Sequence, residues 1–392
     1  MNAGTALKRT LLTIVVVIIG TSACAGSAST PISARYNAFG FDLFGKLTGS
    51  DQGNVVISPI SVALALSMAQ NGAAEKTSTA IARVLRVSDL SDAQLNAGAA
   101  QLMQNLPAPS NDLQFSIANS LWVKNGFPIH AAFEKEIQSS YRAKVANIPF
   151  NSSGIAQLND WVKENTLGLV PKILDRFEKL DAAVLANAVA LKAKWLHPFN
   201  HNATSAAPFY PASGASHSIS MMRQTTELEY AKGSDWQLVR LPYRGDRFSM
   251  YVFLPAKGNH IALTGSLFDQ ARKRLKSTSL ALEMPRFVVN YKTELNDPLS
   301  ALGMGIAFDP NGAANFSRLT PKPVYISKVV HVTYVRVDEE GTQAGAATAV
   351  VITELAIHLE REAMVVDHPF YMVLRDDRAG QILFLGHITA PT

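Results

Sequence analysis

The chain has 392 residues, 47% of them hydrophobic and 17% charged, enough to bury a large core without a metal or disulfide staple. Gly and Pro sit near average at 24 and 19, so collagen-like and low-complexity disorder are excluded. The net charge of +5, from 36 basic and 31 acidic residues, is spread along the chain, which argues against nucleic acid as a partner. The first residues read as a secretory signal: Lys8 and Arg9, an apolar run Leu11 to Ile19, then Gly20-Thr21-Ser22-Ala23-Cys24-Ala25. The run is too short to span a bilayer.

Two cleavage readings fit this leader. Thr21-Ser22-Ala23-Cys24 resembles a bacterial lipoprotein box, with Cys24 as the lipid-bearing first residue, although Thr stands where Leu is usual. Alternatively, Ala23-Cys24-Ala25 fits the A-x-A rule and discards the cysteine. The lipid reading is preferred, because Cys24 is the sole cysteine of the chain. The expectation is an exported protein, extracellular or periplasmic, with a signal peptide over 1–23 and a small-residue tether over 24–33. Either way the folded body has no disulfide and no thiol nucleophile.

From Tyr36 to Leu47, Phe39, Leu43, Phe44 and Leu47 recur at helical spacing. The P-loop-like string Gly40-Phe41-Asp42-Leu43-Phe44-Gly45-Lys46 falls inside this helix. Leu47 stands where Ser or Thr should bind Mg²⁺, so the string is a decoy. Ser58-Pro59 then opens a second helix, Ile60 to Ala69, buried all round and ended near Gly72. Helical patterns recur near 131–141, 155–166 and 265–275. Strand patterns cover Phe115–Val123, Val184–Leu191, Leu238–Leu241, Phe248–Leu254, Leu280–Val289, Val329–Val337, Tyr371–Leu374 and Ile382–Leu385. Arg272-Lys273-Arg274 with Lys276 reads as the solvated face of the 265–275 helix. Strands dominate the second half without βαβ alternation, which favours an α+β body in one domain over 34–392.

No G-x-S-x-G elbow, S-x-x-K pair or H-E-x-x-H motif is present, so a hydrolase is disfavoured. His197 and His201 read as surface loop histidines, and no metal site or cofactor is expected. The unusual segment follows Asp338-Glu339-Glu340: thirteen residues, Gly341 to Thr353, hold neither charge nor proline. With period two, one face carries Thr342, Ala344, Ala346, Thr348, Val350 and Ile352, and the other Gln343, Gly345, Ala347, Ala349, Val351 and Thr353. Such a stretch is able to join a sheet without the bulk to anchor in one.

Beside that segment the chain strongly resembles a serpin. The resemblance rests on Asn54-Val55-Val56-Ile57-Ser58-Pro59-Ile60-Ser61, on Asn187, Trp195 and Phe199, on Met221-Met222, Leu241-Pro242-Tyr243 and Met284-Pro285-Arg286-Phe287, and on Phe308. Ile326-Ser327-Lys328-Val329-Val330-His331, Asp367-His368-Pro369-Phe370 and Leu383-Phe384-Leu385-Gly386 complete it in order. It implies a single α+β domain of three β-sheets and about nine helices, with an exposed reactive-centre loop over about 339–366. It also implies a monomer that is not an enzyme but a suicide-substrate inhibitor of serine endopeptidases. The alternative is a non-inhibitory surface binding protein or chaperone.

By the same resemblance the loop hinge is Glu339, Glu340, Gly341, Thr342, Gln343, Ala344, Gly345, Ala346 and Ala347. Counting fourteen residues on from Gly341 places the reactive bond between Leu355 and Ala356. Leu355 suits chymotrypsin-, elastase- or subtilisin-like targets with apolar primary pockets. A register one residue earlier would present Glu354 to a glutamate-cutting protease. Ser58, Ser61, Asn187 and His331 resemble the family's buried shutter, and Trp195 its breach, where insertion begins.

Overall fold

The computed structural model describes residues 31–50, 53–106, 110–342 and 362–392. The first half is mainly helical: α1 (Ile32–Ser50), β1 (Val55–Ile57), α2 (Pro59–Gly72), α3 (Glu75–Val84), α4 (Asp92–Asn105), β2 (Leu113–Lys124), α5 (Ala131–Tyr141), β3 (Lys144–Ile148) and α6 (Ser152–Asn165). The second half is mainly strand: β4 (Ala183–Lys194), β5 (Ser205–Phe209), β6 (His217–Lys232), β7 (Trp236–Pro242) and β8 (Phe248–Pro255), then α7 (Gly265–Arg272), β9 (Lys276–Pro285), β10 (Phe287–Glu294) and the short α8 (Asn296–Leu299). It closes with β11 (Ile326–Asp338), β12 (Gly341–Thr342), β13 (Glu362–Val365), β14 (Phe370–Asp376) and β15 (Gln381–Ile388).

Among the described residues the strands form two ladders. The six-stranded sheet runs β10-β11-β12-β4-β2-β3, with β11 also paired directly to β4. The nine-stranded sheet runs β1-β15-β14-β8-β7-β6-β9-β13, with β5 on β6. The resemblance implies three sheets. Here the 16-residue β6 pairs with β9 along Met221–Tyr230 and with β7 at Glu229–Lys232, which fuses two of them into one ladder. The α+β class stands, with eight α-helices among the described residues.

α2 holds the two sheets together. All 14 of its residues are buried: Ala, Leu and Met fill most of it, and its polar stripe Ser67, Gln70 and Asn71 is hydrogen-bonded to Tyr36, Ser78 and Asn96; it packs on β15 and on β2 and β4. α1 lies against it where Gly40 leaves room: a Cβ there would overlap the ring of Pro59. The Gly40–Lys46 decoy is thus helix, and Gly40 serves packing.

Four expectations change. The helix predicted from Tyr36 begins at Ile32, so residues 32 and 33 leave the tether. The strand stretch Leu280–Val289 is two strands, β9 and β10, interrupted at Arg286. The basic cluster is not a helix face: α7 ends at Arg272, Lys273 caps it, and Lys276 already begins β9. The loop expected over 339–366 also loses both ends to ordered structure: residues 339–340 form the turn into β12, and Gly341–Thr342 and Glu362–Val365 are strands.

Candidate functional site: a slot in the six-stranded sheet

β4 and β11 are parallel neighbours from Ile326↔Ala183 to Tyr334↔Ala190. Beyond that point they part, and β12 occupies the gap. Gly341 and Thr342 pair antiparallel with Asp338 and Val337 of β11 and with Lys194 and Ala193 of β4. β12 is therefore a two-residue strand wedged between two longer ones, at the mouth of a slot whose remainder is closed by direct β4–β11 pairing. Only glycine fits the first position: φ is 152°, and a Cβ would overlap the Ala193 carbonyl oxygen.

The turn from β11 into β12 is held from several sides. Trp195 donates its indole N–H to the Asp338 carbonyl at 2.9 Å, and its backbone N–H donates to Glu340 O at 2.9 Å. The Phe199 N–H donates to Glu339 O at 2.8 Å. Trp195 stacks on Tyr243 at 4.5 Å, and the Tyr243 hydroxyl bonds Thr342 Oγ1 at 2.6 Å. Burial pushes the Tyr243 phenol far above its usual range, so it stays protonated and able to donate. The Glu339 side chain is only 2% exposed; it accepts from Thr204 Oγ1 at 2.8 Å and lies 3.9 Å from the Arg286 guanidinium. Burial raises the Asp338 carboxyl, opposed by the Glu340 N–H and Arg336.

His201 is exposed on a turn, as expected, but it has a second role. Its Nε2 lies 3.1 Å from Glu340 Oε1 and its Nδ1 3.8 Å from Glu339 Oε2, so it faces both hinge carboxylates from the 3₁₀ turn His201–Ala203. His197 is exposed, as expected.

Deeper along the same two strands, Ser58, Ser61, Asn187 and His331 come together, each fully buried. Asn187 of β4 lies directly opposite His331 of β11 in the parallel ladder. The Ser58 N–H donates to His331 Nε2 at 3.1 Å, so the ring proton sits on Nδ1, which donates to Asn187 Oδ1. Asn187 Nδ2 in turn donates to Ser61 Oγ and to Asn119 Oδ1. Burial holds the His331 imidazole down to about 3, hence neutral. Ser58 contributes only its backbone: the buried Ser58 Oγ has no hydrogen-bond partner among the described residues.

Expected site residues therefore divide in two. Ser58, Ser61, Asn187, His331 and Trp195 converge on the β4–β11 seam, as do Glu339, Glu340, Gly341 and Thr342, of which Glu339, Gly341 and Thr342 are buried rather than exposed. Gln343, Ala344, Gly345, Ala346, Ala347, Leu355, Ala356 and Cys24 lie outside the described residues.

The six-stranded sheet is thus parted at one end by Gly341 and Thr342, beside the buried α2. The sequence model described as Serpin (serine protease inhibitor) matches residues 34–391. The chain belongs to the serpin family. An uncharacterized serpin-like protein of Thermococcus kodakarensis is 32% identical over 374 residues, 92% of this chain and 86% of that protein. The bovine leukocyte elastase inhibitor is 31% identical over 380 residues, 92% of this chain and 99% of that protein. The crystal structure of the thermophilic serpin tengpin in its native state superposes with a TM-score of 0.85 at 31% identity, covering 92% of this chain and 94% of that one. Serpins are generally protease inhibitors rather than catalytic enzymes, with serine proteases as their targets.

In this serpin the sequence reading missed Asn119, Tyr243, Thr204, Arg286 and His201 as parts of the seam. Asn119 carried a signal, since it is a lone amide at the centre of an apolar strand pattern, like Asn187, and the two pair across β2 and β4. The others come from different elements, and nothing in their local sequence marks them as neighbours of the hinge.

Proposed function

We propose that this serpin inhibits serine endopeptidases of apolar primary specificity as a suicide substrate cut between Leu355 and Ala356. The observation that carries the reading is the position of Gly341 and Thr342 between β4 and β11, with a charge-free and proline-free stretch directly behind them in sequence. The protease serine oxygen adds to the Leu355 carbonyl carbon. The ester C–O bond forms as the C–N bond to Ala356 breaks, and the Ala356 amine leaves with the proton. Once cut, the upstream segment is free to continue along the slot. Each step exchanges one parallel β4–β11 ladder for two antiparallel ladders, which are slightly more stable per residue. Fourteen strand residues span ~46 Å, so a tethered protease is carried a long way from where it was caught.

A charged or proline residue on the inward face would stop this, since an unpaired buried charge is costly and proline lacks a ladder donor. The relative named leukocyte elastase inhibitor agrees with an apolar residue before the scissile bond. The test mixes the mature chain with chymotrypsin, elastase, subtilisin and trypsin, followed by denaturing gels and mass spectrometry. The expected result is a denaturant-resistant complex with the first three and a released peptide beginning at Ala356. Loop cleavage without a trapped complex for any of them would overturn the reading in favour of a non-inhibitory serpin.

A further inference from the structure

β13 begins at Glu362, beside Leu280, and runs parallel to β9. Parallel pairing fixes the side from which the chain enters: it arrives past the end of β9 that starts at Lys276. The reactive bond between Leu355 and Ala356 that the inhibitor reading names is only six residues before Glu362, so a protease bound there is tied by a short tether to this end of the sheet. That end is basic. Lys273 and Arg274 are exposed on the turn joining α7 to β9, and Lys276 is exposed at the first position of β9. Arg274 is fixed there, since its Nη2 donates to Lys232 O at 2.7 Å and its guanidinium lies 5.2 Å over the Trp236 ring. Lys232 pairs with Glu362 at 2.5 Å, tying this rim to the loop's root. A cleft of about 290 Å³ opens between Lys232, Trp236 and Glu362.

Two of the cations are paired: Lys232 with Glu362, and Arg272 with Asp269 at 3.7 Å. Among the described residues, no carboxylate lies within ion-pair distance of Lys273, Arg274 or Lys276. We propose that this rim is a second docking surface for the target protease, selecting one with acidic side chains beside the part of its cleft that holds residues after the scissile bond. The proposal rests on the inhibitor reading and names the partner's surface chemistry. Two exposed lysines and the anchored Arg274 make a small set of cations, which suits a protein's acidic patch better than a polyanion, whose affinity grows with the number of phosphate or sulfate contacts. Their effect falls on the encounter rate, because exposed charge steers association more than it holds the product.

The test compares wild type with the Lys273→Glu/Lys276→Glu variant against two chymotrypsin-like proteases of the same apolar specificity, one acidic and one basic. With the acidic protease the second-order rate of complex formation should fall ~10-fold or more near ~20 mM salt, a loss that shrinks above ~300 mM. The stoichiometry and the thermal midpoint stay unchanged, and the rate with the basic protease holds or rises. Equal rates for wild type and variant with the acidic protease overturn the proposal. So does loss of retention on a heparin column with both protease rates unchanged, which would make the rim a polyanion site. Absence of any covalent complex with wild type sinks the inhibitor reading and this proposal with it, whereas complexes at equal rates sink this proposal alone.

Discussion

Asn187 satisfies three buried neighbours with one amide: His331 through Oδ1, and Ser61 and Asn119 through Nδ2. Removing it strands His331 Nδ1 and leaves Ser61 and Asn119 only their long mutual contact at 3.5 Å in a buried seam, where each unsatisfied group costs roughly 1–3 kcal/mol. Ser58 is the useful contrast, since its hydroxyl has no partner and does not cap α2. Asn187→Ala should therefore lose about 3 kcal/mol or more, while Ser58→Ala stays within about 1 kcal/mol of wild type, both read from denaturant midpoints. Equal losses would mean that the Ser58 hydroxyl has a role the hydrogen bonds do not describe. The resemblance singled out both residues alike; only the geometry separates a side chain that works from one whose backbone does.

At the level of elements, β4 and β11 are readable because both are long apolar runs, whereas β12 is not, since Gly341 and Thr342 look like any loop residues until two strands flank them. β6 escaped notice because His217–Lys232 has few β-branched residues and many polar ones; its place comes from pairing with β5, β7 and β9 rather than from propensity. The seat of Thr342 is narrow: fully buried, hydrogen-bonded to the Tyr243 hydroxyl, beside the Trp195–Tyr243 stack. An arginine there would bury an unpaired guanidinium, which costs several kcal/mol, so the hinge should stay out of the slot. Thr342→Arg is expected to keep loop cleavage by chymotrypsin while the trapped fraction on denaturing gels drops at least ~10-fold. A variant that traps as well as wild type would detach β12 from the mechanism.

Among the described residues, each sheet holds one histidine whose imidazole is pushed down by desolvation, the fully buried His331 and the half-buried His387. His331 lies in the seam of the six-stranded sheet, held down to about 3 by burial. His387, on β15 of the nine-stranded sheet, stacks on Tyr371 at 4.4 Å and is held down to about 4 by burial, with His260 adding a smaller repulsion. Both folded values lie below the ~6.5 of an unfolded histidine, so the unfolded chain binds more protons and stability falls as pH drops from ~6.5. Each such group contributes a slope of up to ~1.4 kcal/mol per pH unit, fully lost only below its folded value. Between pH 6 and 4.5 the wild type should weaken in guanidine melts, and His331→Gln should remove about half of the part due to these two residues. An unchanged slope in that variant would mean that His331 is already charged in the folded protein.

Local sequence by itself determined the buried α2, the long apolar strands and the uncharged stretch after Glu340, because each depends on side-chain pattern over a few turns or residues. It also marked Gly341, whose lack of a Cβ matters wherever backbone crowds backbone. The rest was settled by the tertiary structure. Asn119 meets Asn187, His201 meets Glu340 and Arg274 meets Trp236 only because strands remote in sequence are brought into register. The depth at which β12 is seated depends on where β4 and β11 part, a balance between two ladders that no single segment encodes.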